Sequence, residues 1–232
     1  MPRIITLTAA VTFTAVLAVP AAGLANPPGG PPTVAPSPSP STQPPPPDEP
    51  DPLTTALLTA TEVPTGFTPQ TSGVDDLFAR IPAEVAACGR AVTGVPAGTV
   101  YREYVRGPAE EELLVETLAE PGAAAARAAV TKLASVLPGC TSFTRASGQL
   151  PMELKFALTP YTPAPKIGDA SAAVSFVMTV PTMNLTVNGR ILAAAAGKSH
   201  VTALLMSEAA PKIADLEAAA RAAVGKLPKV SP

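Results

Sequence analysis

Arg102, Tyr104 and Arg106 stand at alternate positions of the stretch Thr-Val-Tyr-Arg-Glu-Tyr-Val-Arg at 99–106. In an extended strand that spacing puts the three side chains on one face. Arginine forks grip carboxylates and phosphates through paired N–H donors, and a tyrosine adds an amphipathic wall. A fourth arginine, Arg190, follows an Asn-Gly pair. These four residues, Arg102, Tyr104, Arg106 and Arg190, are the candidate contacts for a small anionic ligand. The competing reading is ordinary strand charge paired with Glu103 or Glu116, which contributes little at a surface. Met178, Met183 and Met206 offer a second kind of site, an adaptable apolar pocket, or are simply core.

Catalytic chemistry has thinner support. His200 is the only histidine, so any serine-histidine hydrolase must use it. Its neighbour Ser199 would point to the opposite face of a strand. Neither a Gly-x-Ser-x-Gly elbow, a His-Glu metal motif nor a phosphate-cradling glycine loop occurs. Glu110-Glu111-Glu112 reads as a solvated turn, and Glu153 and Asp169 are the remaining candidates for a carboxylate pair. Asn184-Leu185-Thr186 matches an N-glycosylation pattern but falls in an expected strand.

Cys88 and Cys140 are the only cysteines. In an exported chain the simplest use for two is one disulfide. It would close a loop of about 50 residues and constrain the unfolded chain by roughly 4 kcal/mol in the entropy model. Metal ligation would need more clustered ligands than two thiols and one distant histidine, so no metal and no cofactor is expected.

Export itself is read from the N-terminus. Arg3 precedes an apolar run over 4–19, and small residues follow to Ala25. That is the pattern of a cleaved secretory signal over 1–25. The apolar run is shorter than the roughly 20 residues a bilayer core needs, and no later stretch replaces it, so no transmembrane helix is expected in the mature chain. Residues 26–52 are a proline-rich linker. Proline fixes φ and removes a donor, so this tether favours extended polyproline II. The remaining 53–232 are enough for one domain with a sizeable core. The chain has 16 basic and 18 acidic residues, a formal net charge of −2, which gives no footing for nucleic acid or an anionic membrane. Aromatics are 4% with no tryptophan, so stacking platforms for bases or sugars should not dominate.

Within the domain, the pattern predicts a short helix over 53–61. A second runs from Pro82, placed at a first helical position, to about Cys88 or Arg90, behind a turn capped by Asp75-Asp76. Strands follow at 99–106 and 111–118, then an Ala-rich helix over 121–137 stopped by Pro138-Gly139. Residues 152–158 alternate, with Met152, Leu154, Phe156 and Leu158 inward. Further strands are predicted at 172–180, 183–188, 190–196 and 200–206. Asn188-Gly189 is read as a two-residue hairpin turn, and a closing helix covers 211–227. The class is α+β: a curved antiparallel sheet with flanking helices, placed on one face or at its ends. The small side chains of 193–196 would let a helix come close.

The order of these landmarks resembles the PknH-like extracellular sensor domain family of mycobacteria and related actinobacteria. The matching pieces are Leu57-Leu58 with Glu62-Val63-Pro64-Thr65-Gly66-Phe67, a helical Cys88, and Cys140 after an Ala-rich helix. Ile167-Gly168-Asp169 before a strand, the Asn188-Gly189 pair and an Ala-rich closing helix complete them. The resemblance implies an antiparallel sheet with flanking helices and a large cleft for an envelope ligand. Where the kinase-borne domain carries two disulfides this chain can form one, and it has no kinase domain. The implied protein is a secreted or cell-envelope-associated, non-enzymatic sensor-like domain that takes a small or lipid-like ligand, possible cell-wall association included. The alternatives are an envelope adaptor that binds another protein and a hydrolase using His200.

Overall fold

Alternating side chains make the strands of this protein, and small side chains decide where its helices land. The computed structural model describes residues 51–70, 77–90, 92, 97–108, 111–146, 153–163 and 165–227. The expected leader and nearly all of the tether lie outside the described residues, as do Asp75, Asp76, Glu110 and Met152. The elements run α1 (Pro52–Ala56), β1 (Thr68–Pro69), α2 (Leu77–Ala86), β2 (Thr99–Arg106), β3 (Glu112–Ala119) and α3 (Ala123–Ala134). Then come β4 (Ser142–Ala146), β5 (Glu153–Pro160), β6 (Ala170–Val180), β7 (Leu185–Ala196), β8 (Ser199–Ser207) and α4 (Ile213–Lys226).

The eight strands form one open sheet in the order β1-β2-β3-β8-β7-β6-β5-β4, and every neighbouring pair is antiparallel. Two meanders build it. β1–β3 make the first; α3 then carries the chain to the far edge, and β4–β8 return until β8 docks on β3. The α+β class and the antiparallel sheet are as the sequence predicts. Cys88 and Cys140 are joined in a disulfide that spans 52 residues. It ties the end of α2 to the segment between α3 and β4, and so links the two meanders.

The helices cover both faces of the sheet, not one. Alternation on β7 shows this directly. Ile191, Ala193 and Ala195 point to a core with Ile81 and Val85 of α2, Val130 and Leu133 of α3, and Phe156 and Phe176 of the sheet. Leu192 and Ala194 point the other way, to Leu57 and Leu58 after α1 and to Leu216, Ala220 and Ala223 of α4. Alanine on β7 admits α3 on one side and α4 on the other, as the small-residue run suggests. In β5 the expected inward residues Leu154, Phe156 and Leu158 are buried while Glu153 and Lys155 are exposed. Met178 and Met206 belong to the α2/α3-side core, whereas Met183 is exposed.

Four local expectations are corrected. Asn188-Gly189 is not a hairpin turn. Both residues lie inside β7, with Asn188 opposite Val177 and Gly189 opposite Phe176. The turn before β7 is instead the single helical turn Pro181–Met183 closed by Asn184 in the left-handed region, φ 51°. Gly189 serves a close approach: a Cβ there would overlap the Phe176 ring. Pro82 lies inside α2 rather than at its start. The first helix stops at Ala56, with Asp51 Oδ1 accepting from Leu53 N at 2.9 Å. Strand β4 has no counterpart in the sequence reading. The Ile167-Gly168-Asp169 landmark does have a structural cause: Gly168 (φ +65°) packs on the Ala195 carbonyl where no Cβ would fit, and Asp169 N donates to that carbonyl at 2.7 Å.

Gly189→Ala should lower stability by about 1–3 kcal/mol, the usual cost of forcing atoms into a packed site. The second substitution Phe176→Leu should make the pair less destabilising than the sum of its parts. Urea denaturation of the two single variants and the double variant measures this. Simple additivity would contradict the close-approach role of Gly189.

Candidate functional site

Strand register places all four sequence-selected residues on the face that carries α1 and α4. Arg102 lies opposite Glu116, Tyr104 opposite Leu114 and Arg106 opposite Glu112. Leu114 pairs with Leu205, and Leu205 with Arg190. Tyr104 and Arg190 thus share one cross-strand row, three strand spacings or about 14 Å apart. The structure puts them on one surface without bringing them to one point.

The first three side chains act on the chain itself. Leu58 N donates to Glu116 Oε2 at 2.9 Å, and Leu58 O accepts from Arg102 Nη1 at 2.6 Å. The Tyr104 hydroxyl lies 2.7 Å from Leu58 O and 3.0 Å from Glu116 Oε2. It has one proton, and because Arg102 already serves the Leu58 carbonyl, that proton is free to serve the carboxylate. Burial raises the pKa of both Glu116 and Tyr104, and the Glu116 charge adds to the shift on the phenol. Lys226 Nζ caps Leu57 O and pairs with Glu62, each at 2.7 Å. Those contacts, Lys226 first and Thr59 next, hold the Glu62 carboxyl down at about 2. Arg106 pairs with Glu112 and, at 2.6 Å, with Asp215 of α4. Its guanidinium covers the Phe67 ring at 4.2 Å. Together these groups clasp the segment after α1 and the start of α4 onto the sheet.

Arg190 is different. It is half-buried and lies 5.6 Å from the centre of the Tyr161 ring. Among the described residues no carboxylate is within ion-pair distance of it. Tyr161 is fixed from the other side, its hydroxyl donating to Glu217 Oε1 of α4 at 3.2 Å. Burial, with Glu217 adding, pushes that phenol up to about 12. Beyond Arg190, α4 no longer covers the sheet. The open region runs over β6, β5 and β4 and consists of three cross-strand rows. One is Arg190–Ser175–Thr159, the next Asn188–Val177–Ala157–Ser142, and the last Thr186–Thr179–Lys155–Thr144. Ser142, Thr144, Lys155, Ala157, Thr159 and Thr186 are exposed, and the other members of these rows are half-buried. A shallow hollow of about 270 Å³ lies over the last two rows. Lys155 is 3.2 Å from Glu153.

The other face holds buried polar groups of a different character. Glu103 is 4% exposed, its Oε1 has no hydrogen-bond partner, and burial pushes its carboxyl up to about 7. His200 Nε2 is also buried without a partner, and burial lowers its pKa. His200 faces Ala119 and Ala195 across the sheet. Ser199, on the opposite face, lies 3.5 Å from Glu120. Glu153 and Asp169 belong to opposite ends of the β5–β6 pair. No group of three or more metal-ligating side chains occurs among the described residues. Asn184 of the glycosylation pattern is exposed in a turn rather than in a strand.

Sequence reasoning passed over Tyr161 and the hydroxyl-bearing rows. Their signal was present: Lys155 and Thr159, and Ser175 and Thr179, keep the same period of two that marked the core residues between them. It was read only for its apolar half.

No family model matches the chain, and no curated protein matches it. Among solved structures, the chain is similar to the extracellular domain of PknH from Mycobacterium tuberculosis. That match has 15% identity and a TM-score of 0.46, and covers 75% of this chain and 93% of the other. It is a distant structural similarity and transfers no residue role. None of the helices among the described residues is long and apolar enough to cross a membrane.

Glu103 generates a pH prediction. A carboxyl raised from 4.5 to about 7 makes the contribution of Glu103 to stability greatest below pH 4.5. That stability is lost as pH rises through 7, because the folded state must then hold a desolvated charge. Glu103→Gln should match the parent near pH 4 and exceed it by about 3 kcal/mol at pH 8–9. Denaturant titrations at the two pH values check this; a variant no more stable than the parent at pH 8 would contradict the burial account.

Proposed function

We propose that this chain is an exported, non-enzymatic ligand-binding domain, secreted or held in the cell envelope. Residues 1–25 serve as its cleaved leader, 26–52 as its spacer, and the domain follows. Its binding face is the open half of the sheet beside α4, and it takes an anionic ligand. The observation that carries this reading is Arg190. A half-buried guanidinium with no carboxylate in reach keeps its forked donors for an outside acceptor, and Tyr161 and the Asn188 and Ser175 side chains frame it. Arg102, Tyr104 and Arg106 support the site indirectly, by fixing the segment after α1 and the N-terminal turn of α4. The surroundings of Arg190 favour a polar ligand over a lipid chain, since Val177 and Tyr161 are the largest apolar groups there.

An adaptor that binds another protein is the second reading. The outer edge of β4 favours it, since an open strand edge carries backbone donors and acceptors that another chain can pair with. Hydrolysis at His200 has the least support: no hydroxyl or carboxylate partners its buried nitrogen among the described residues.

The test is thermal melting with glucose 6-phosphate, galacturonate and inorganic phosphate. A binder saturated a hundredfold above its Kd gains about 2.7 kcal/mol, a shift of several degrees. Arg190→Ala should weaken the response at least tenfold, while Arg127→Ala, on the exposed side of α3, should keep it. An equal response in both variants, or none in the parent, would contradict the assignment.

A further inference from the structure

The geometry points to an acidic polysaccharide, laid across strands β7 to β4, as the ligand of the open face. This rests on the reading of that face as the binding site, and it names the chemistry that fits. The hollow is shallow, and a compact small molecule usually buries most of its surface in its site. A long ligand gains its contacts by length instead. The three open rows run perpendicular to the strands, so each step along a row is one strand spacing, about 4.8 Å. That is close to the distance one pyranose ring adds to a glycan chain.

Row composition matches such a chain. Thr186, Thr179, Lys155 and Thr144 succeed one another on adjacent strands. Each presents a hydroxyl or an ammonium, groups that pair with sugar hydroxyls. In the row beside it Val177 and Ala157 are neighbours, a low apolar strip of a size to accept the C–H edge of a ring. Large apolar side chains that would hold an acyl chain are missing from these rows. Phe143 and Phe156 also line the hollow but pack into the α2/α3-side core, so ring stacking along the rows does not supply the affinity. Charge then decides between neutral and acidic glycans. Arg190 has no ion-pair partner among the described residues, whereas Lys155, the other cation of the rows, pairs with Glu153, so Arg190 carries the uncompensated positive charge. A carboxylate on the glycan answers Arg190 by charge complementarity.

The experiment is calorimetric and NMR titration of the full domain with galacturonate and with its linear oligomers up to eight residues. Affinity should rise roughly threefold to tenfold per added sugar, as expected for one or two hydrogen bonds each. It should level off at about four sugars, when the strands β7 to β4 are spanned. The double variant Thr144→Val, Thr179→Val keeps β-branched side chains and so the strands, and should abolish the gain with length while leaving monomer binding. Neutral dextran oligomers of equal length should bind at least tenfold more weakly. Length-independent affinity, an unchanged length series in the double variant, or equal binding of polyphosphate would each overturn the inference. So would no binding at any length; an Arg190-dependent response to glucose 6-phosphate in that case would leave the underlying site standing.

Discussion

Everything on the α4 side of this protein follows from how narrow a helix is. A helix with its side chains is about 10 Å across, two strand spacings. Strand β7 admits α4 closely because Ala194 and Leu192 are what it meets there, and β8 supplies Val201, Ala203 and Leu205 on the same side. Having settled on β7 and β8, α4 has no width left for β6, β5 and β4. The segment after α1 takes the other flank, over β2 and β3. An eight-stranded sheet with those two covers must leave a region bare. The side chains of that region are mostly threonine, serine, asparagine, lysine and arginine around Val177 and Ala157, as solubility requires of a bare sheet face.

The same geometry sorts the polar residues into two groups. Arg102, Tyr104, Glu116, Arg106 and Lys226 lie under or beside the covering segments and hydrogen-bond to their backbone and side chains. The Glu116 carboxylate and the Tyr104 phenol are held there by the backbone of Leu58, although Glu116 Oε1 is buried without a hydrogen-bond partner among the described residues. Arg190 stands at the border, its guanidinium against Tyr161, one row end from the open surface. Its identity as a possible contact comes from where α4 stops, not from its own sequence neighbourhood. On the opposite face Glu103 Oε1 and His200 Nε2 are also buried without a partner, and these groups act on stability rather than on recognition.

Much of the fold was legible because alternation and helix punctuation are local. Strand β2 was read with the limits it has, β5 with its inward set, and the disulfide from compartment and count. The failures share a cause. Asn188-Gly189 has the chemistry of a turn, but Phe176, opposite on the next strand, needs the space above Gly189, and only the sheet reveals that. Pro82 suits a helix start, yet the helix begins earlier, at Leu77. Strand β4 is brief, and its Phe143 and Arg145 gain their inward role from Phe156 and Glu84, which are distant in sequence. For the site, period two showed which residues share a face. Which part of that face a helix would cover was decided by the packing of α4 on small side chains, and no local pattern encodes it.

Amide chemical-shift mapping with galacturonate tests the central claim most directly, because it reports where on the sheet a ligand lies without presuming how tightly. The account predicts perturbations confined to Arg190, Ser175, Val177, Thr179, Lys155 and their row neighbours, with the α2/α3 face and the Leu57–Leu58 clasp silent. Perturbations centred on that clasp, on His200, or on the α2/α3 face would show that the uncovered half of the sheet is not the binding surface.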